Sequence, residues 1–296
     1  MGELFQLLVD GLVAGSIFAL AGVGLSLPFG ILRVVNFAQG EYITVGAYAA
    51  VVVNLALHGN MFLAAVAAMV AVAALSLVLE VGYWRPMRRR RAGHFTMLLS
   101  SFGLSLVIRG LLLVFAGAAT RTYDFDKFQV YSFAGIRLSA SQLVAVILGF
   151  ASVVFVAVLF SRTHTGKAMR ALADDQSLAS VSGVDTDWLI KITWLLSGAL
   201  AGLAGVLQGL LQISFDPNMG ATLLLPVFAA VILGGLGNPY GALAGGLLLG
   251  VVMKLSTWSA LGGGLSPVWE NVVAFLVLVV VLLIRPAGMV GKAFAR

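Results

Sequence analysis

Long apolar runs separated by short polar loops repeat along the whole chain. They fall at about 5–27, 36–57, 61–82, 95–117, 140–160, 188–212, 222–236, 240–257 and 268–284. A helix of roughly 20 apolar residues crosses the hydrocarbon core of a bilayer. The runs are too long, and alternate too little, for the strands of a membrane barrel. A helix satisfies its own backbone hydrogen bonds in lipid, so helices are the expected spanning element. The pattern predicts an all-α, polytopic transmembrane bundle of about 8–9 spans, built as a single domain over residues 1–296. The stretches 36–57 and 222–257 combine glycine with short segments, and each is a candidate for a broken or re-entrant helix.

Composition strengthens this reading. Hydrophobic residues make up 60% of the chain and charged residues only 10%, against roughly 25% charged in soluble domains. Mean hydropathy is +1.05. The first apolar run follows Glu3 rather than a basic leader, and is expected to be a retained span instead of a cleaved signal. The absence of cysteine excludes disulfides and thiol chemistry. His58, His94 and His164 lie far apart, without metal-ligand spacing.

The net charge of +6 changes the picture only through its placement. Arg85 and Arg88 to Arg91 crowd one short loop. Arg162, Lys167 and Arg170 occupy another, Arg33 lies in the first connection, and Arg285, Lys292 and Arg296 close the chain. Alternating the spans puts all of these on one face, with Arg121, Lys127 and Arg137 opposite, balanced by Asp124 and Asp126. The positive-inside rule makes the basic face cytoplasmic and places the C-terminus inside. With nine crossings the N-terminus is outside. The charge is therefore an orientation signal, and nucleic acid is not an expected partner.

Small residues recur at four-residue spacing, as in Gly11, Gly15 and Ala19, in Gly198 and Gly202, in Ala201, Gly205 and Gly209, and in Gly246 and Gly250. In lipid this spacing lets helix backbones approach closely. The glycine-rich segments near 36–48 and 234–246 follow comparable spans, which raises the question of an internal repeat.

Three polar segments interrupt the apolar pattern. The first contains Asn36, Phe37, Gln39, Gly40 and Glu41. Polar groups entering a span are costly unless paired or facing water, and Gly40 and Gly46 free the backbone to break the helix. These five residues are candidates for a translocation path at a discontinuous helix. The competing reading is a helix end at the interface, capped by Asn36, with Glu41 favoured by the helix dipole. The second segment, around Gly234, Gly235, Gly237, Asn238 and Pro239, cannot continue a helix. It is either a tight turn or a turn at membrane depth whose backbone lines a cavity. The third runs from Ser161 to Asp187. Residues 166–179 favour one short amphipathic helix, with a stop at Gly183. Such a helix either rests on the bilayer or docks on a partner protein.

Glu80, Arg109, Lys254 and Glu270 are expected near span ends, where long side chains snorkel. No row of acidic groups suggests ion coupling. Gly166-Lys167 and Gly291-Lys292 lack the upstream glycine of a phosphate-binding loop. No Ser-His-Asp or metal-hydrolase grouping stands out. No catalytic residue, metal site or cofactor is expected.

Taken in order, the segments resemble the branched-chain amino-acid permeases of ATP-binding-cassette importers, LivH type. The resemblance rests on Gly11-Leu12, Gly15 to Leu20, Asn36 to Glu41, Gly46-Ala47-Tyr48, Arg85-Pro86-Met87-Arg88, Thr165 to Ala171 and Gly183-Val184. It continues through Asp216-Pro217, Leu233 to Gly237, Gly241-Ala242 and Arg285 to Gly288. It covers nearly the whole chain. It implies a permease of the bacterial inner membrane, working in lipid with a second, similar permease, two cytoplasmic ATPases and a periplasmic solute-binding protein. It also implies that Thr165, Gly166, Lys167, Arg170, Ala171, Asp174 and Gly183 belong to a coupling loop, about 161–187, that meets an ATPase. Importers of urea or short amides look similar, and Gln39, where a histidine is common, and Pro28, which interrupts the end of the first span, depart from the family pattern. An ion-coupled secondary carrier is the alternative of a different class.

Overall fold

The structure is a computed structural model that describes residues 2–57, 59–124, 130–133, 136–258, 266–285 and 288–289. His58, Asp126, Lys127, Lys292 and Arg296 lie outside the described residues. Each of the nine apolar runs is a helix. In chain order these are α1 (Gly2–Leu32), α2 (Gln39–Ala56), α3 (Met61–Leu79), α5 (His94–Ala116), α6 (Ala140–Arg162), α9 (Thr186–Leu211), α10 (Met219–Gly234), α11 (Pro239–Leu255) and α12 (Glu270–Ile284). A single π-turn, Glu80–Trp84, carries α3 into a short basic helix, α4 (Arg85–Arg89). The polar loop after α6 holds α7 (His164–Asp174) and α8 (Gln176–Val181).

Five of these helices are long and apolar enough to cross a membrane: Glu3–Leu32, Met61–Arg89, His94–Ala116, Ala140–Arg162 and Thr186–Leu211. The helices α10, α11 and α12 are shorter. At 1.5 Å per residue, α10 is about 24 Å long, less than the roughly 30 Å of the hydrocarbon core. Of the two candidates for a broken or re-entrant helix, 222–257 is two short helices joined by a tight turn, whereas α2 runs unbroken from Gln39 to Ala56. Pro28 does not end the first helix; α1 runs one more turn to Leu32. One departure from the all-α pattern is a small antiparallel hairpin, β1 (Val130–Phe133) with β2 (Ile136–Ser139), where Val130 faces Ser139. It leads straight into α6 through a capping box formed by Ser139 and Gln142.

The bundle is arranged around α1 and α9, which are mostly buried, while α3, α5 and α6 turn broad apolar faces outward. The small-residue spacings explain why. Gly11 and Gly15 of α1 meet Gly246 and Gly250 of α11, so two sequence motifs are the two sides of one interface. A Cβ on Gly15 would lie 2.9 Å from Leu247 Cα. On α9, Gly198 and Gly202 lie against α3, and Gly205 against Ile43 and Ala47 of α2. Lipid tails are as apolar as leucine, so helices gain no hydrophobic energy by leaving lipid for one another. Close van der Waals contact and interhelical hydrogen bonds hold them together. Two such bonds reach backbone carbonyls: Ser197 Oγ donates to Gly24 O at 2.5 Å, and Ser76 Oγ to Trp194 O at 2.5 Å.

The substitution Gly15→Leu should therefore destabilise the bundle by about 1–3 kcal/mol or more through overpacking. By contrast, Gly103→Leu on the open face of α5, where an added Cβ meets nothing within 4 Å, should be near neutral. Thermal unfolding of the detergent-solubilised variants measures both; equal melting temperatures would reject the proposed interface.

Candidate functional site

The first polar segment lies where the chain breaks between α1 and α2. Arg33 takes a positive φ of 55°, and residues 33–36 are not helical. Asn36 is fully buried. Its Oδ1 accepts from Ala38 N at 3.1 Å, closing a turn just before α2. The N-cap is Ala38, without a side-chain bond; Asn36 acts two residues earlier than a capping reading requires. Phe37 N donates to Ser101 Oγ of α5 at 3.2 Å, and its ring meets Phe102 and Phe228. Gln39 is buried beside Gly24 of α1, and neither side-chain amide atom has a hydrogen-bond partner among the described residues. Gly40 lies against Gly220 of α10; a Cβ there would sit 2.6 Å from Gly220 O. Gly220 N donates to Thr44 Oγ1 at 3.0 Å. The break thus joins α1, α2, α5, α9 and α10.

Glu41 is the buried charge of this cluster, 1% exposed. It sits in the first turn of α2, as the helix-dipole reading expects. Its Oε1 accepts from Arg109 Nε at 3.0 Å, from Arg109 Nη2 at 2.5 Å and from Ser105 Oγ at 3.3 Å. Arg109 and Ser105 are missing from the sequence reading of this site. Arg109 is not at a span end: it lies about 22 Å along α5. Glu80, Lys254 and Glu270 do lie at helix ends, but none simply snorkels. Glu80 pairs with Arg88, and Lys254 Nζ donates to both carboxylate oxygens of Glu270 at 2.7 and 2.9 Å. Arg85 pairs with Asp187, joining α4 to the start of α9. The i to i+8 spacing could have revealed Glu80–Arg88; nothing local could have revealed Glu41–Arg109.

Gly234, Gly235 and Gly237 form the tight turn from α10 to α11. Gly235 and Gly237 take φ of 110° and 82°, and Asn238 Oδ1 caps α11 by accepting from Tyr240 N at 3.0 Å and Gly241 N at 3.3 Å. The turn is closed in by Gly30 of α1 and by Gly288, while Met289 N donates to Leu233 O at 2.8 Å. It stands at the end of the bundle where α1 finishes, against Gly30.

The third segment is two helices, not one. The chain kinks at Asp175, with φ −152° and ψ 110°. Asp175 Oδ1 caps α8 by accepting from Ser177 N at 2.8 Å and Leu178 N at 3.0 Å. Bonds from the Ser177 hydroxyl and the Leu178 amide hold its carboxyl below the ordinary aspartate range, so the cap is intact at neutral pH. The expected stop at Gly183 is present: its φ is 83°, and Val184 N donates to Ala179 O at 3.1 Å. Met169, Leu172 and Ala179 are buried against the bundle. Gly166 is also buried, on Leu159 O and Phe160 Cα, so it serves packing and leaves no room for a side chain. Thr165 is half-buried, whereas Lys167, Arg170, Ala171, Asp174 and Gly183 are exposed. Leu178 is 65% and Val181 87% exposed beside them.

A separate cavity of about 700 Å³ opens among α1, α6, α9, α10, α11 and α12. None of the residues named for a path in the sequence reading lines it; Asp10, Gln142, Gln208, Lys254 and Glu270 do.

A protein-family profile described as "Branched-chain amino acid transport system / permease component" matches residues 7–282. The chain belongs to this family. It is 32% identical to the high-affinity branched-chain amino acid transport system permease protein BraD of Pseudomonas aeruginosa, over 97% of this chain and 95% of that one. It is 30% identical to the permease protein LivH of Escherichia coli over the same shares. The ribose import permease RbsC of Escherichia coli is 27% identical over 79% of this chain and 73% of its own. No solved structure matches the chain. As a permease of this family it is a membrane transport protein, and its apolar helices suit that role.

Removing one partner of a buried ion pair leaves the other charge uncompensated, at a cost of about 3–5 kcal/mol. Arg109→Leu should therefore lower stability by that order, and Glu41→Leu combined with it should restore most of the loss. A double-mutant cycle by thermal unfolding tests this; additive losses would show that the pair is not coupled.

Proposed function

We propose that the chain is the permease subunit of an ATP-binding-cassette importer for branched-chain amino acids, in a bacterial inner membrane with its C-terminus in the cytoplasm. The whole chain, 1–296, acts as one permease domain. It pairs with a second, similar permease, takes solute from a periplasmic binding protein and is driven by two cytoplasmic ATPases, without catalysis or a cofactor of its own. The near full-length likeness to relatives named for branched-chain amino acids favours that solute over sugars, urea or short amides.

The observation that carries the coupling is the arm formed by α7 and α8. It is anchored through Met169, Leu172 and Ala179, yet turns Leu178 and Val181 outward with Lys167 and Arg170. An exposed apolar patch rimmed by charge suits a protein partner, and it stands among the arginine-rich loops that mark the cytoplasmic side. Thr165 to Gly183 is then the ATPase contact. ATP binding closes the ATPase pair, and the motion reaches the membrane through this arm, powered by the different affinities of ATP for the two conformations. Asn36, Phe37, Gln39, Gly40 and Glu41, with the turn at Gly234, Gly235 and Gly237, flank the helix break where one helix group moves against another. They make up the translocation path.

In reconstituted complexes, Leu178→Asp with Val181→Asp, and separately Arg170→Glu, should cut the ATPase stimulation by loaded binding protein at least about tenfold, the scale of 1.4 kcal/mol in contact energy. The melting temperature should stay unchanged, because none of these side chains is buried. Normal stimulation in both variants would reject the docking assignment.

A further inference from the structure

The cavity among α1, α6 and α9 to α12 is not explained by the docking arm or by the polar break at Asn36 to Glu41. It holds about 700 Å³, within the roughly 300–1,000 Å³ of small-molecule sites. It lies at the end of the bundle away from the arginine-rich loops: its walls come from the early turns of α1 and α6 and the last turn of α9.

Its lining joins two chemistries. Val13, Phe18, Leu223 and Met253 form a buried apolar wall. Against it stand charges of both signs. Asp10, inside the apolar α1, accepts at Oδ1 from Gln142 Nε2 at 2.9 Å and from Gln6 Nε2 at 3.2 Å. Lys254 and Glu270 form their bidentate pair on another wall, with side chains 30% and 18% exposed. Charges within apolar helices are expensive, and they are kept where they face a partner, water or a ligand. A further observation points to a ligand. Ser141 is 3% exposed, lines the cavity, and its Oγ has no hydrogen-bond partner among the described residues. A buried hydroxyl without a partner costs free energy unless something else supplies the bond.

We infer that this cavity is a solute site within a single permease subunit, and that it takes a small zwitterion with an aliphatic side chain. The inference rests on the importer reading above. The ammonium group lies by Asp10, the carboxylate by Lys254 and the Ser141 hydroxyl, and the side chain against Phe18, Leu223 and Met253. Asp10 and Lys254 bring opposite charges into one space, which selects for a molecule that carries both. A ligand lacking one charge forfeits its contact with Asp10 or with Lys254, and a difference in such contacts discriminates between ligands.

The test is equilibrium binding of radiolabelled leucine to the purified permease–ATPase complex in lipid nanodiscs, without binding protein. Saturable binding is expected, competed by valine and not by leucinamide or 4-methylpentanoate, which each lack one charge. Asp10→Asn should weaken leucine binding at least tenfold. Because Lys254→Gln alone leaves Glu270 unpaired and is liable to misfold, the neutral double variant Lys254→Gln/Glu270→Gln is measured beside it, with the same loss expected and a folded elution profile. No saturable binding in the wild type, equal competition by the singly charged analogues, or unchanged affinity in both Asp10→Asn and the double variant would overturn the site. Failure of loaded binding protein to stimulate the wild-type ATPase would instead count against the importer reading, while the leucine isotherm still decides the site.

Discussion

Everything in this bundle depends on how closely its backbones can approach. Lipid offers helices no hydrophobic reason to associate, so the attraction between them must come from contact area and from the few hydrogen bonds that bridge them. Glycine supplies the contact. Where Gly40 meets Gly220, or Gly46 meets Gly202, a single added carbon would run into the facing backbone. The same rule places α1 and α9 at the centre, because these two helices carry glycine on more than one face. It leaves α5, with Gly103 and Gly110 facing open space, at the edge.

Close approach also decides where polar groups are tolerated. Five helices converge on the gap between α1 and α2, and the backbone there is released from helical bonding just where Asn36, Gln39, Glu41 and Thr44 can be enclosed by neighbours. Glu41, buried in the first turn of α2, is tolerable only because α5 passes close enough to present Arg109 and Ser105. The thin contact between α5 and the rest of the bundle, almost entirely with α2, gives this ion pair a disproportionate share in fixing where α5 stands. Packing and electrostatics are one constraint at this site.

Much of this was legible in the sequence, for a physical reason: apolar length and loop charge are local properties. All nine helices fall where the runs predict, and the glycine spacings mark helix contacts. What stayed hidden is partnership. The motif at Gly11 and Gly15 says that some helix comes close, while only the fold shows that it is α11, through Gly246 and Gly250. Arg109 reads as a solitary charge because Glu41 is 68 residues away. The kink at Asp175 was readable in principle, since an aspartate followed by Ser177 and Leu178 is a capping sequence, but the helix-forming residues around it outweighed that signal. Asp10, Ser141 and Gln142 gave no sign of a cavity, because each is an ordinary residue near a helix start until the tertiary structure sets them around one space.

The connectivity of the bundle suggests how distant parts act together. Gly166 seats α7 on the last turn of α6, and α7 also touches α1 and α9. A push on the exposed face of α7 and α8 is therefore delivered to the two central helices. The helix α1 carries it along the glycine seam to α11, and α11 bears Lys254 at its far end, opposite Asp10 of α1 itself. Apart from α12, which packs on α10 and α11, the walls of the cavity thus belong to the helices that the arm contacts or to their direct partners, across the full thickness of the bundle. Close-packed helices shift as units rather than bend, so displacement at the basic end changes the separation of charges at the other. That geometry is what the proposed coupling to ATPases requires, since work applied at one side of the membrane then reaches the other.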